Sequence, residues 1–191
     1  LYYDAGESYI VVKDFDINSV HILSSHFIKD KHGIYLVRYD SKQGIKKIEG
    51  IDPRSFEVIQ NDANHETYFK DVNGIYFDEV VGKIPGNLVK ILGADQSSFN
   101  VLDYYLLAKD KNHVYYRGIP IQISDPSTFE VIGNGYFKDD LNVYSRSYET
   151  IKVIPNLDGC TYELIDYENT YSWKGYSKDK NHTYYRGKIL E

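Results

Sequence analysis

The sequence predicts an all-β chain made of tandem β-hairpin repeats, and three observations carry that expectation. Two short signatures alternate five times along the 191 residues. Tyrosine, which favours strands, occurs 20 times, against 8 Phe and a single Trp. Turn residues rich in Asp, Asn and Gly are flanked by aromatic and apolar residues, the pattern of a hairpin.

The first signature is a Lys-Asp turn followed by an apolar residue and tyrosine. It reads Lys29-Asp30-Lys31-His32-Gly33-Ile34-Tyr35, then Lys70-Asp71-Val72-Asn73-Gly74-Ile75-Tyr76. Lys109-Asp110-Lys111-Asn112-His113-Val114-Tyr115-Tyr116 and Lys178-Asp179-Lys180-Asn181-His182-Thr183-Tyr184-Tyr185 are the fullest copies. Lys138-Asp139-Asp140-Leu141-Asn142-Val143-Tyr144 is degenerate. Successive Asp residues stand 41, 39, 29 and 40 positions apart. Tyr68-Phe69-Lys70 and Ile75-Tyr76-Phe77 flank one turn as paired strands would.

The second signature is Asp, two residues, Ser or Thr, then an aromatic. Its clearest copies are Asp52-Pro53-Arg54-Ser55-Phe56-Glu57-Val58-Ile59 and Asp125-Pro126-Ser127-Thr128-Phe129-Glu130-Val131-Ile132. Asp95-Gln96-Ser97-Ser98-Phe99 and Asp158-Gly159-Cys160-Thr161-Tyr162 keep the pattern, and the copy at Asp16 departs from it with Val20. Asp can cap free amides here, with Pro pre-setting the next φ. The aromatic then opens a short strand, and a further strand is expected after each Tyr element, as in Leu88–Leu92 and Ile119–Ile123.

These marks divide residues 1–191 into a single repeat array. A leading strand covers 1–15, and five units cover about 16–51, 52–94, 95–124, 125–157 and 158–191. A unit of this size cannot bury enough apolar surface alone, so neighbours must stack. Phe56, Phe99, Phe129 and Tyr162 are the expected inter-repeat core. An open, curved stack is the first architecture expected, and a small closed β-propeller the second. Gly33 and Gly74 share a slot with His113 and His182, which predicts a positive φ there and a structural role for both histidines.

Asp110-Lys111-Asn112-His113-Val114-Tyr115-Tyr116 and its partner at Asp179–Tyr185 resemble the motif of the DKNYY family of bacterial proteins. Versions of the motif span nearly the whole chain. The resemblance implies a repeat architecture and a bacterial origin. It implies no catalytic residues, because that family has no established activity.

Charge and composition exclude several classes. A net charge of −6 lacks the basic footprint that nucleic acid requires. No apolar run approaches the length of a membrane-spanning helix. Cys160 alone can form neither an internal disulfide nor a cysteine zinc site, and reads as a turn residue. Asp71-Val72-Asn73-Gly74 opens like a calcium loop but lacks the closing Glu, so no metal and no cofactor is expected. His65, in a polar loop, reads as solvated, and no Ser, Cys or Thr is placed as a nucleophile. The chain is not expected to be an enzyme. Its start at Leu1 reads as processing or a cloned fragment, and removal of a signal would place it in the periplasm or cell envelope.

Residues outside the repeat pattern are the candidates for recognition. The largest such block runs from Tyr167 to Tyr176 and carries Tyr167, Tyr171, Trp173 and Tyr176, aromatics of the interface-anchor type. A capping loop over the last repeat is the competing explanation. The expected function is non-enzymatic binding of a macromolecule, in the first instance a protein. Beside it stand an inhibitor or immunity protein against a secreted toxin, and a cell-envelope structural or carbohydrate-binding module.

Overall fold

The computed structural model describes residues 2–4, 9–11, 15–24, 26–37, 45–59, 67–78, 88–102, 104, 106–147, 150–165 and 175–190. The expected β class is met: these residues form 22 strands and one 3-10 turn, Ile17–Ser19. Strands β1 (Tyr2–Asp4) and β2 (Tyr9–Val11) pair as a leading hairpin. The rest make five four-stranded antiparallel sheets, one for each pair of signatures.

The first sheet holds β3 (His21–Ile22), β4 (Phe27–Asp30), β5 (Gly33–Val37) and β6 (Ile45–Ile48). The second holds β7 (Glu57–Val58), β8 (Tyr68–Asp71), β9 (Gly74–Asp78) and β10 (Leu88–Lys90). The third holds β11 (Asn100–Val101), β12 (Leu107–Lys109), β13 (Val114–Tyr116) and β14 (Ile119–Pro120). The fourth holds β15 (Glu130–Gly133), β16 (Tyr136–Lys138), β17 (Val143–Arg146) and β18 (Ile151–Ile154). The fifth holds β19 (Glu163–Ile165), β20 (Tyr176–Lys178), β21 (Thr183–Tyr185) and β22 (Lys188–Ile189). In every sheet the strands lie in chain order, and none closes on itself. The chain divides into two compact units, Leu1–Leu106 and Leu107–Glu191.

Within the first unit, consecutive sheets are joined by aromatic side chains. Phe27, Ile34 and Leu36 of the first sheet meet Phe56, Phe69 and Tyr76 in one buried cluster. Phe56 stacks on Phe69 with centroids 5.4 Å apart, and Phe27 meets Phe69 edge-on at 5.1 Å. Burying a side chain of this size contributes about 2–3 kcal/mol. The opposite face of the first sheet carries Ile28, Tyr35 and Val37 against Phe15 and Ile45. In the second unit Tyr162 does the work of Phe56, packed with Val143 of the fourth sheet and Tyr184 of the fifth. Phe129 is buried against Phe137 and Tyr144, whereas Phe99 stays half-buried on the ring of Tyr68.

One backbone expectation is overturned. Gly33, Gly74, His113 and His182 do not have positive φ. Both glycines instead border the flexible end of a cross-strand lysine, which an added side chain would have to move aside. A Cβ on Gly33 would stand 2.6 Å from Lys47 Cε, and one on Gly74 2.6 Å from Lys90 Cε. Lys47 and Lys90 sit opposite Tyr35 and Tyr76 in register. Where that cross-strand residue is Pro120 or Ile189, opposite Tyr115 or Tyr184, the slot holds His113 or His182. Positive φ falls elsewhere, at the turn before each later Asp signature: Gly50 (80°), Gly93 (80°), Ile123 (59°) and Asn156 (66°). It also marks the paired turn residues Arg117-Gly118, Asn134-Gly135 and Arg186-Gly187, the combination a tight two-residue hairpin requires.

Candidate functional site

The two signatures meet at one end of each sheet. The Asp of the first turn is buried there in all five units: Asp30, Asp71, Asp110, Asp139 and Asp179. Its side chain closes the turn between the second and third strands. In the second sheet the Asn73 and Gly74 amides donate to Asp71 Oδ1 at 2.7 and 3.0 Å. The Tyr76 hydroxyl donates to the same oxygen at 2.9 Å. Asp71 Oδ2 takes the backbone amide of Asp52, from the second signature, at 2.8 Å. Equivalent amide bonds run from Asp16 to Asp30, Asp125 to Asp139 and Asp158 to Asp179. Equivalent tyrosine bonds join Tyr35, Tyr115, Tyr144 and Tyr184 to their aspartates. Asp30, Asp71, Asp139 and Asp179 are thus each a clasp for two turns that are distant in sequence.

A second bond reinforces it. Ser55 Oγ donates to Asp52 Oδ2 at 2.7 Å and accepts the Val72 amide at 3.0 Å. Ser19, Thr128 and Thr161 accept from Lys31, Asp140 and Lys180 in the same way. Lys31 and Lys180 also pair with Asp16 and Asp158 at 2.7 and 2.6 Å. Clasps then link along the chain. Lys29 Nζ donates to the Phe56 carbonyl at 3.0 Å, and Lys109 Nζ to that of Pro126 at 2.9 Å. Gly159 is packed so tightly that a side chain there would collide with backbone atoms of Asp139 and Asn142.

The electrostatics follow from these bonds. Burial pushes the Asp179 carboxyl up, but the amides of Asp158, Asn181 and His182 and the Tyr184 hydroxyl outweigh it and bring it down to about 2. Asp30 is lowered by the same balance. Burial and the neighbouring carboxylate push the Tyr184 hydroxyl up to about 12, so it stays a donor throughout the ordinary pH range. The clasp oxygens are therefore occupied by protein donors. Among the described residues, no three His, Cys, Asp or Glu gather into a group able to hold a metal.

His113 and His182 lie beside this arrangement, with Nδ1 3.4 Å from the Tyr115 and Tyr184 hydroxyls. Cys160 is exposed in the fifth Asp turn. Of the expected recognition residues, Tyr167, Tyr171 and Trp173 lie outside the described residues, as does His65. Tyr176 stands in β20, half-buried, with its ring 5.0 Å from that of Tyr185. The Asp–Tyr bond within the first signature was missed by sequence reasoning. Its signal was present: Asp and Tyr keep a five-residue separation in all five copies, while repeat lengths vary.

The fold and its clasps define a class: an all-β protein of tandem four-stranded units, each fastened by a buried Asp–Tyr pair. The sequence profile of the DKNYY family matches residues 1–148 and again 37–188, two overlapping registers of one repeat, and the chain belongs to that family. Comparisons with curated proteins and with solved structures gave no match.

Proposed function

We propose that this chain is a non-enzymatic, bacterial repeat protein that binds another macromolecule, in the first instance a protein, through the sheet ends opposite the clasps. The observation that carries this reading is the division of labour within each unit. The repeated Asp, Ser, Thr and Tyr side chains are engaged with one another at the clasp end. At the other end the connections differ from unit to unit: residues 59–67 and 79–87 in the second sheet, 102–106 and 117–118 in the third, and 134–135 and 147–150 in the fourth. Binding proteins vary their loops on a constant scaffold in this manner. Of the aromatic block, Tyr167, Tyr171 and Trp173 fall in the connection 166–175 of the same set, and Tyr176 opens β20. The net charge of −6 favours a basic partner, which keeps inhibition of a secreted toxin as the second reading.

Trp173 is the single tryptophan, so its emission reports its own surroundings. A partner recovered from the native source, then titrated against the chain, should change that emission. Trp173→Ala should weaken the complex by about 2 kcal/mol while leaving the denaturant midpoint nearly unchanged. Unaltered partner recovery with a strongly lowered midpoint would make the block a cap and refute this assignment.

A further inference from the structure

We infer that His26 and Asp78 form a proton-dependent clasp between the first and second sheets, holding them together while the pair keeps a proton and loosening them when it is lost. Asp78 ends β9 and is only 1% exposed. Its Oδ2 lies 3.5 Å from Nδ1 of His26, which precedes β4 of the neighbouring sheet. Its Oδ1 is buried and has no hydrogen-bond partner. The Thr67 hydroxyl, on the residue whose carbonyl takes the Asp78 amide at 2.9 Å, is buried without one too.

The repeats show how unusual this carboxyl is. Counting from the clasp aspartates, the equivalent residues are Val37, Arg117, Arg146 and Arg186. Asp78 therefore departs from the pattern of the other units. Other charged groups on the adjoining strands are already engaged. Tyr76 is bonded to Asp71, Lys70 to Glu57, and Lys29 to the Phe56 carbonyl. Asp30 and Asp71 are clasp carboxylates. The stems of Lys47 and Lys90 lie over Gly33 and Gly74, and Lys46 stands opposite Leu36 on β6. Among the described residues, His26 is the ionisable group that acts on Asp78.

Burial pushes the Asp78 carboxyl up to about 6, with His26 pulling the other way. A carboxyl raised above its ordinary value of 3.8 stabilises the fold in its protonated form, and that contribution is lost as pH rises through about 6. Above that pH the pair leaves a buried anion with one oxygen unpartnered.

Two measurements on the whole chain test this. A carbon-detected NMR titration of the Asp78 carboxyl should show a midpoint near 6, moving upward in His26→Ala because the neighbour that pulls it down is gone. A midpoint near the ordinary carboxylate value, or one unmoved in His26→Ala, would overturn the proposal. In thermal melts, the wild type should lose about 5 °C between pH 5 and pH 8 relative to Asp78→Asn, which cannot ionise. Parallel melting profiles would overturn it equally. Should Asp78→Asn not fold, the titration of the wild type and of His26→Ala decides.

Discussion

The two ends of each four-stranded sheet are built on different terms. At the end where the second strand turns into the third, all five units use a buried Asp that closes its own turn and takes the hydroxyl of a Tyr five residues on. At the opposite end the connections share little: residues 38–44 and 79–87 in the first two sheets, Arg186-Gly187 in the fifth. The difference teaches where repetition is enforced. A clasp satisfies several backbone donors with one carboxylate, so each member is held by the others. A connecting loop carries no such obligation, and each doubling of its length costs only about 0.6 kcal/mol. The chain can therefore diverge at one end while the other stays fixed.

The comparison breaks first if the apolar layer between sheets is not what the clasps support. Phe56→Ala should cost about 3–5 kcal/mol, read as a lowered denaturant midpoint, because it empties a cluster shared by two sheets. Acid should act next, through the clasp carboxylates. The Asp179 carboxyl sits near 2, below its ordinary value of 3.8, and Asp30 is also lowered. Lowered carboxyls stabilise the fold above their ordinary value and surrender that stability as pH falls. Thermal melts should therefore decline from pH 4 toward pH 2, and less steeply in Asp179→Asn than in the wild type. A smaller loss, about 2 kcal/mol, is expected for Gly159→Ala, since the added methyl must displace backbone of the preceding clasp. The smallest effect has the opposite sign. Ile123 is exposed and β-branched at φ 59°, so Ile123→Gly should add about 1 kcal/mol of stability, read as a raised denaturant midpoint.

Much of this architecture was legible in the residues. Alternation of two signatures gave the repeat, the aromatic flanks gave the central hairpin, and Phe56 and Tyr162 fell into the inter-sheet core as expected. The glycine slot lacks the positive φ expected of it, because residue type alone does not set the backbone angle of a turn. The positive-φ turn before each later Asp signature was overlooked because Ile123 hides it among glycines and asparagine. Tyr176 was singled out with the aromatic block, yet it belongs to a strand and packs on Tyr185. His26 and Asp78 could not be paired in advance, since their proximity depends on how two sheets stack.

The central claim is that the Asp and the first Tyr of the family motif form one structural clasp. A double-mutant cycle on Asp71 and Tyr76 tests it most directly, with Asp71→Ala, Tyr76→Phe and the double variant compared by denaturant melts. Tyr76→Phe keeps the ring in the core and removes only the hydroxyl that donates to Asp71 at 2.9 Å. The account predicts a coupling of about 1 kcal/mol or more between the two sites. Additivity within about 0.3 kcal/mol would contradict it.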